Sequence, residues 1–137
     1  MAVNDFGAGE DIGSVGQTGS DSFAAGSGSY TVSGGGADIW NNSDAFHFVS
    51  RAVSGNLTMT AQVQNLTNTN PWAKAGLMVR ASAAAVSQFV DIVVTPGQGI
   101  SFQWRSGTGG SCGDVQVIKV GASVYLEICL LYTSRCV

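Results

Sequence analysis

Charged side chains are scarce in this sequence, since Asp, Glu, Lys and Arg together make up 11% of its 137 residues. The six Lys and Arg residues are scattered and form no basic run, and the formal net charge is -3. Proteins that bind nucleic acid or an anionic membrane surface carry a basic patch that neutralises phosphate groups. The composition therefore predicts neither nucleic acid nor anionic lipid as a partner.

Side chains suited to metal binding and nucleophilic catalysis are also few. His47 is the only histidine, and Cys112, Cys129 and Cys136 form no Cys-x-x-Cys or Cys/His spacing. Because structural zinc sites need such spacing, we predict no metal site of that kind. A serine triad is not predicted either. At least one thiol stays unpaired, and a disulfide between Cys112 and Cys129 is left open.

No apolar run is long enough to form a membrane-spanning helix, and the first residues lack the basic start and apolar stretch of a secretion signal. Membrane insertion is therefore not predicted. If the domain is exported, we expect its signal to lie upstream of Met1.

What is abundant is the pattern of an all-β protein. The clearest stretch runs from Trp72 to Phe102, in which apolar residues alternate with polar or small ones and the turn 96–99 contains Pro and Gly. This predicts an antiparallel meander. Residues 57–64 alternate most regularly, with Leu57, Met59, Ala61 and Val63 on the buried face. Strands are predicted over residues 10–13, 22–24, 29–33, 45–50, 57–64, 73–80, 86–94, 100–105, 115–120 and 124–128, with a bend over 36–44.

Several of these segments carry a family resemblance. They are Asp11-Ile12-Gly13, Gly36-Ala37-Asp38-Ile39-Trp40, Asp44-Ala45-Phe46-His47-Phe48, Pro71-Trp72-Ala73-Lys74-Ala75-Gly76-Leu77-Met78-Val79-Arg80, Val94-Thr95-Pro96-Gly97 and Ser101-Phe102-Gln103. The series, from about residue 8 to about residue 110, resembles concanavalin A-like modules of the laminin-G or jelly-roll type, which recur in large secreted bacterial proteins. The resemblance implies an antiparallel β-sandwich.

The resemblance also implies further strands after the last predicted strand, residues 124–128. We therefore predict a partial sandwich module over residues 1–128, missing its last strands, and a non-native tail over residues 129–137. The tail has the sequence Cys129-Leu130-Leu131-Tyr132-Thr133-Ser134-Arg135-Cys136-Val137.

A saccharide site would need hydrogen-bonding groups and an aromatic side chain on one surface. If the central strands are adjacent and in register, their polar residues provide the hydrogen-bonding groups. Trp104, near the end of a strand, provides the aromatic side chain. Trp40 and Trp72 are expected to anchor loops to the core. The candidate carbohydrate-binding residues are Trp104, Arg105, Gln103, Arg80, Asp91 and His47.

Structural roles are the alternative for these residues. Arg80 and Asp91 would form a cross-strand ion pair, and His47 would be a hydrogen-bonded strand residue. Asp38 and Asp44, together with Asn41 and Asn42, are a lesser candidate for calcium, although turn chemistry explains them and their spacing is not that of a helix-loop-helix site. No other cofactor is predicted.

No strand carries the paired carboxylates of a glycoside hydrolase, so no enzyme activity is predicted. The predicted function is that of a non-catalytic accessory module of an extracellular protein, with a polysaccharide or glycan and neighbouring domains of a larger protein as partners. The alternative is a structural or adhesive module without a saccharide site.

Overall fold

The computed structural model describes residues 6–117 and 120–131, and within these ranges the protein is all-β without a helix. This confirms the predicted all-β class. Every strand pairs with its neighbour in antiparallel orientation. The strands are β1 Glu10–Ile12, β2 Ser20–Ala24, β3 Ser29–Ser33, β4 Ile39–Trp40, β5 Ser43–Asp44, β6 Phe46–Phe48, β7 Leu57–Val63, β8 Ala75–Arg80, β9 Phe89–Thr95, β10 Gly99–Arg105, β11 Gly113–Val117 and β12 Val124–Leu130.

The largest sheet is the predicted meander, with strand order β11-β10-β9-β8. Its register places Met78 opposite Asp91, and Asp91 opposite Gln103. Strand β9 begins at Phe89, three residues later than predicted from its apolar pattern. Residues 81–88 instead form a loop, because the Ser82 N–H donates to Ser87 Oγ and the Ser87 N–H donates to the Ala84 carbonyl.

The apolar face of this sheet forms the core with a separate pair of strands, β7 and β12. Leu77 of β8 packs with Leu126 and Ile128 of β12, and the inward side chains of β7 complete the cluster. The predicted alternation of β7 is confirmed, since its even-numbered residues are exposed and its odd-numbered residues are half-buried. This arrangement buries one face of the β8–β9 half of the sheet.

Strand β12 includes Cys129 and Leu130, the first two residues of the predicted tail. Cys129 pairs with Thr58 in the register with β7, and the two side chains lie 2.9 Å apart from Sγ to Oγ1. Residues 132–137 of that tail lie outside the described residues, as do residues 118–119 of the predicted strand 115–120. Cys112 and Cys129 are free thiols, so the disulfide left open between them does not form.

The N-terminal part consists of short strand pairs: β1 with β6, the hairpin β2–β3 and the hairpin β4–β5. The bend predicted over residues 36–44 contains the last of these, in which Asn41 has a positive φ of 50°. Asparagine tolerates this conformation better than most residues. The β4–β5 hairpin places Asp44 against the second face of the large sheet.

Candidate functional site

The second face of the four-stranded sheet is unusually polar, and we call it the polar face. Alternation along β9 and β10 and their register bring Asp91, Ser101, Gln103 and Arg105 to this side. All four are buried. The face continues onto the edge strand β11, where Asp114 lies opposite Gln103 and Gln116 lies opposite Ser101, both exposed. The central strands are thus adjacent and in the register that the candidate site requires, but most of its polar residues are enclosed.

Arg105 is held by a carboxylate and by backbone carbonyls. Its Nη1 and Nη2 donate to the two carboxylate oxygens of Asp44, each at 2.7 Å. It also donates to the carbonyls of Ser87 and Asn41, each at 3.0 Å. Hydrogen bonding to Asp44 raises the pKa of Arg105 above its ordinary value. The guanidinium therefore serves an internal ion pair that ties β10 to the β4–β5 hairpin.

Arg80 shares the same carboxylate, donating from Nη1 to Asp44 Oδ2 at 3.0 Å. Its side chain lies over the ring of Phe89, which is its register partner, and Arg105 covers the same ring. The alternative of an ion pair between Arg80 and Asp91 is therefore wrong. Asp91 faces Met78 across the strands, and the acceptor for Arg80 comes from a different hairpin.

Asp91 is fully buried, and neither of its carboxyl oxygens has a hydrogen-bond partner among the described residues. The same is true of the Gln103 carbonyl oxygen Oε1 and of Ser101 Oγ. Burial raises the pKa of Asp91 from 3.8 to about 8, so its carboxyl group is protonated at neutral pH. Buried polar atoms are normally paired, and unpaired ones point to water, an ion or a ligand.

Lys74 lies at the end of the polar face where β8 begins. Its Nζ donates to Asp38 Oδ1 at 2.5 Å and to the Ile39 carbonyl at 3.1 Å, and it lies 5.6 Å from the centre of the Trp40 ring. Asp38 and Asp44, the candidates for calcium, are thus both engaged by cationic side chains. No cluster of three or more His, Cys, Asp or Glu residues in the described ranges is arranged to hold a metal ion.

His47 lies away from the polar face, between two carboxylates. Nδ1 is 2.8 Å from Asp11 Oδ1 and Nε2 is 2.8 Å from Asp21 Oδ1. Hydrogen bonding to Asp21 raises the pKa of His47 above its usual 6.5, and hydrogen bonding to His47 lowers the pKa of Asp11. The ring links β6 to β1 and β2, and its side chain is 5% exposed. It is a hydrogen-bonded strand residue, as the structural alternative predicted.

Two of the three tryptophans differ from their predicted placement. Trp104 is half-buried, but alternation sends it to the opposite side of β10 from Gln103 and Arg105, beside Phe102 and against Gly113. Trp72 is 41% exposed and follows the loop before β8, where an anchoring role was predicted. Trp72 is therefore the exposed tryptophan of the three.

A broad open cleft with a volume of about 3130 Å³ borders the polar face. Its lining includes buried Asp91 and Gln103, exposed Asp114 and Gln116 on β11, Trp72, and residues from both faces of β8. This volume is several times that of a typical small-molecule pocket. The space therefore suits an extended ligand or another protein segment better than a compact cofactor.

The structure divides the six candidate carbohydrate-binding residues. Gln103 and Asp91 lie side by side on the polar face, Arg80 and Arg105 serve the Asp44 ion pair, and His47 and Trp104 lie elsewhere. Sequence reasoning missed the partners of these residues, because Asp44 is 61 positions from Arg105 and Asp11 is 36 positions from His47. Local periodicity carries no signal for such pairings.

Comparison with known proteins finds no matching family model, no matching curated protein and no matching solved structure. The concanavalin A-like resemblance thus stays a prediction. No helix in the described part of the chain has the length and apolar character needed to cross a membrane.

Proposed function

We propose that this chain is a concanavalin A-like β-sandwich, or jelly roll, that serves as a non-catalytic carbohydrate-binding module of a secreted bacterial protein. The observation that carries the proposal is the exposed polar edge of this face on β11, where Asp114 and Gln116 line an extended cleft. Hydroxyl-rich ligands need such donors and acceptors on a firm scaffold. A polysaccharide or glycan is the partner, and the chain acts beside neighbouring domains of a larger protein.

Two side chains at the β11 edge of the polar face are exposed and accessible to a ligand. Gln116 offers an amide and Asp114 a carboxylate on the exposed strand β11. Trp72 supplies an exposed indole on the lining of the same cleft, and an indole can stack on the apolar face of a pyranose ring. The proposed surface thus uses Trp72 where the sequence favoured Trp104.

The arrangement of carboxyl groups favours binding over catalysis. Asp91 and Asp114 are separated by strand β10, and two interstrand steps of roughly 4.8 Å place their Cα atoms roughly 10 Å apart. Retaining glycosidases hold their carboxyl groups about 5 Å apart and inverting ones about 6.5–9.5 Å, in both cases on a surface open to the substrate. Asp91 is also enclosed, so that its proton is poorly placed to reach a glycosidic oxygen. The proposed function is therefore binding without catalysis.

The test is calorimetric titration of the full chain with soluble cello-, xylo-, manno- and chito-oligosaccharides. Trp72→Ala and Trp104→Ala form a matched pair, because they remove the same side chain from different surfaces. The proposal expects saturable binding to at least one sugar class, which Trp72→Ala abolishes and Trp104→Ala leaves within about twofold. Loss of binding only in Trp104→Ala would move the site to the other face of the sheet.

A second candidate function, a structural or adhesive module, rests on a different surface. Phe102, Val115 and Val117 share the apolar face of the sheet beyond the area that β7 and β12 cover, and they are 37%, 55% and 49% exposed. Contiguous exposed apolar side chains on an edge strand are typical of contact with another protein surface. If Val115→Lys abolishes adhesion or domain docking and no sugar binds, this second function is the correct one.

A further inference from the structure

We propose that the free edge of strand β11 is a homodimer interface, along which a second copy of this chain adds its own β11 in antiparallel orientation. This interface rests on the apolar surface of the second candidate function, for which it names a partner, and it does not depend on carbohydrate binding. The exposure, the charge pattern and the shape of β11 all support it.

Strand β11 lies at the end of the four-stranded sheet, and among the described strands it pairs only with β10. Its outer side therefore presents backbone N–H and C=O groups to which another strand can be added. Natural edge strands are often protected by Lys, Pro or a β-bulge. The five residues of β11, Gly113–Val117, contain neither Lys nor Pro, and their register with β10 is continuous. This edge is thus open to pairing.

The apolar side of β11 is exposed as well. Val115 and Val117 are about half-exposed, and they lie beside Phe102 of β10. At the opposite edge of the sheet, Leu77 and Val79 of β8 already pack in the core with β12. A strand added at β11 therefore buries apolar surface that nothing else in the described chain covers, which favours association at this edge.

The sequence of β11 is complementary to itself in one register. Facing residues of an antiparallel pair put their side chains on the same side of the sheet, so the twofold axis must pass through a residue. An axis through Val115 pairs all five residues and places Asp114 opposite Gln116 of the second copy. The Gln116 amide then donates to the Asp114 carboxylate, twice by symmetry. An axis through Asp114 would instead oppose two carboxylates, which is unfavourable.

The same register matches the shape of the apolar side. It places Val117 of the second copy opposite Gly113, which has no side chain. The Trp104 ring lies over Gly113, since a Cβ atom there would be only 2.6 Å from Trp104 Cζ2. Val117 of the second copy therefore meets the edge of an indole and no competing side chain. At the axis, Val115 packs against its own counterpart.

The size of the contact predicts a weak dimer. Pairing along five residues buries less than the roughly 1,200 Å² of stable protein complexes. We therefore expect a dissociation constant of roughly 10–100 μM. The twofold axis also keeps the polar sides of both copies on one side of the joined sheet, so that Asp114 and Gln116 of the two copies form one continuous polar strip.

The experiment is sedimentation equilibrium of the full chain at concentrations from roughly 2 to 500 μM, which span the expected dissociation constant. Val115→Lys places two ammonium groups opposite each other at the axis and should weaken the dimer at least roughly tenfold. Val32→Lys is the matched control, because Val32 is 49% exposed on β3, away from β11. It should leave the dissociation constant within about twofold. Thermal melting of each variant checks that it is folded.

Two substitutions at Gln116 test the register. Gln116→Lys creates two ion pairs with Asp114 across the axis and should tighten the dimer by roughly fivefold. Gln116→Asp opposes like charges at the same positions and should weaken it by roughly as much. Both effects should shrink in about 0.5 M NaCl. Amide hydrogens of β11 should exchange more slowly at concentrations where the dimer forms, because edge pairing protects them.

Four results would overturn the inference. A natural chain that stays monomeric up to roughly 500 μM would reject the dimer and leave carbohydrate binding intact. A dimer that folded Val115→Lys does not weaken, or that leaves the β11 amides unprotected, would place the interface elsewhere. Equal effects of Gln116→Lys and Gln116→Asp would reject the register. A monomer that loses docking of a neighbouring domain in Val115→Lys would support the second candidate function but not a second copy as its partner.

Discussion

Arg105 and Asp44 meet through two parallel hydrogen bonds of 2.7 Å each, and neither side chain is exposed to solvent. The pair joins residues 61 positions apart and fastens the β4–β5 hairpin to strand β10. Bidentate contacts between a guanidinium and a carboxylate are the geometrically most specific of protein ion pairs. The pair therefore defines where the N-terminal part rests on the sheet.

Asp44→Ala should destabilise the protein strongly, because it leaves Arg80 and Arg105 buried with unbalanced charge. We expect the free energy of unfolding to fall by roughly 3–5 kcal/mol, measured by urea denaturation at neutral pH. Asp38→Ala is the matched control, since it removes a carboxylate that is 44% exposed from its pair with Lys74. That loss should be about 1 kcal/mol or less. Equal losses in both variants would contradict the structural role assigned to Asp44.

Asp91→Asn should stabilise the protein, and the gain should grow with pH. The folded-state pKa of Asp91, about 8, lies above its unfolded value of 3.8, so the natural chain loses stability as pH rises between these values. The gain in the variant should be close to zero near pH 4 and at least about 1 kcal/mol at pH 8, with an upper bound of roughly 5 kcal/mol. Denaturation curves at several pH values check this. A gain independent of pH would show that Asp91 does not titrate as described.

His47 should stay protonated to a higher pH than a free histidine, because its pKa is raised above the usual 6.5. Both of its ring nitrogens face carboxylate oxygens at 2.8 Å, and a neutral imidazole could donate to only one of them. Because its folded-state pKa is raised above 6.5, its contribution to stability is complete below pH 6.5 and is lost as pH rises through the folded-state value. Titration of the ring protons by NMR should give a midpoint above 6.5.

A double variant separates the pH-dependent stability contributed by His47 from that contributed by Asp91. In an Asp91→Asn background, stability should still decline with rising pH above 6.5, and addition of His47→Gln should remove that decline. A midpoint at or below 6.5 for His47 would contradict the double ion pair.

Gly76 on strand β8 should not tolerate a side chain. A methyl group there would meet the Ile92 carbonyl oxygen and the backbone of Val93 in the neighbouring strand. Gly76→Ala should therefore lower the free energy of unfolding by roughly 1–3 kcal/mol, as overpacking does. Gly107→Ala is the control, because a methyl group at that loop position has open space around it. Its effect on the melting temperature should be small or slightly stabilising.

The sequence alone was sufficient for the local features of the fold. Alternation of apolar residues identified the strands of the central meander, and it assigned Asp91 and Gln103 to the polar sides of their own strands. It also identified the buried side of β7. These features depend on residues close together in the chain, where the two-residue period of a strand leaves a direct trace.

Sequence reasoning failed where strand boundaries or side-chain partners depended on distant residues. Strand β9 starts late because Ser82 and Ser87 hold a loop. Trp104 was grouped with Gln103, although adjacent positions on a strand point to opposite faces. The exposure of Trp72 depends on how its loop lies on the rest of the fold, which periodicity does not report.

The all-β class and the polarity of each strand thus follow from the sequence by itself, because both are properties of short segments. Only the tertiary structure determined that Asp44 satisfies Arg80 and Arg105 while Asp91 is left buried without a partner. Those outcomes arise when hairpins far apart in the chain pack against one sheet and compete for the same few charged groups. The candidate site is what remains unpaired after that packing.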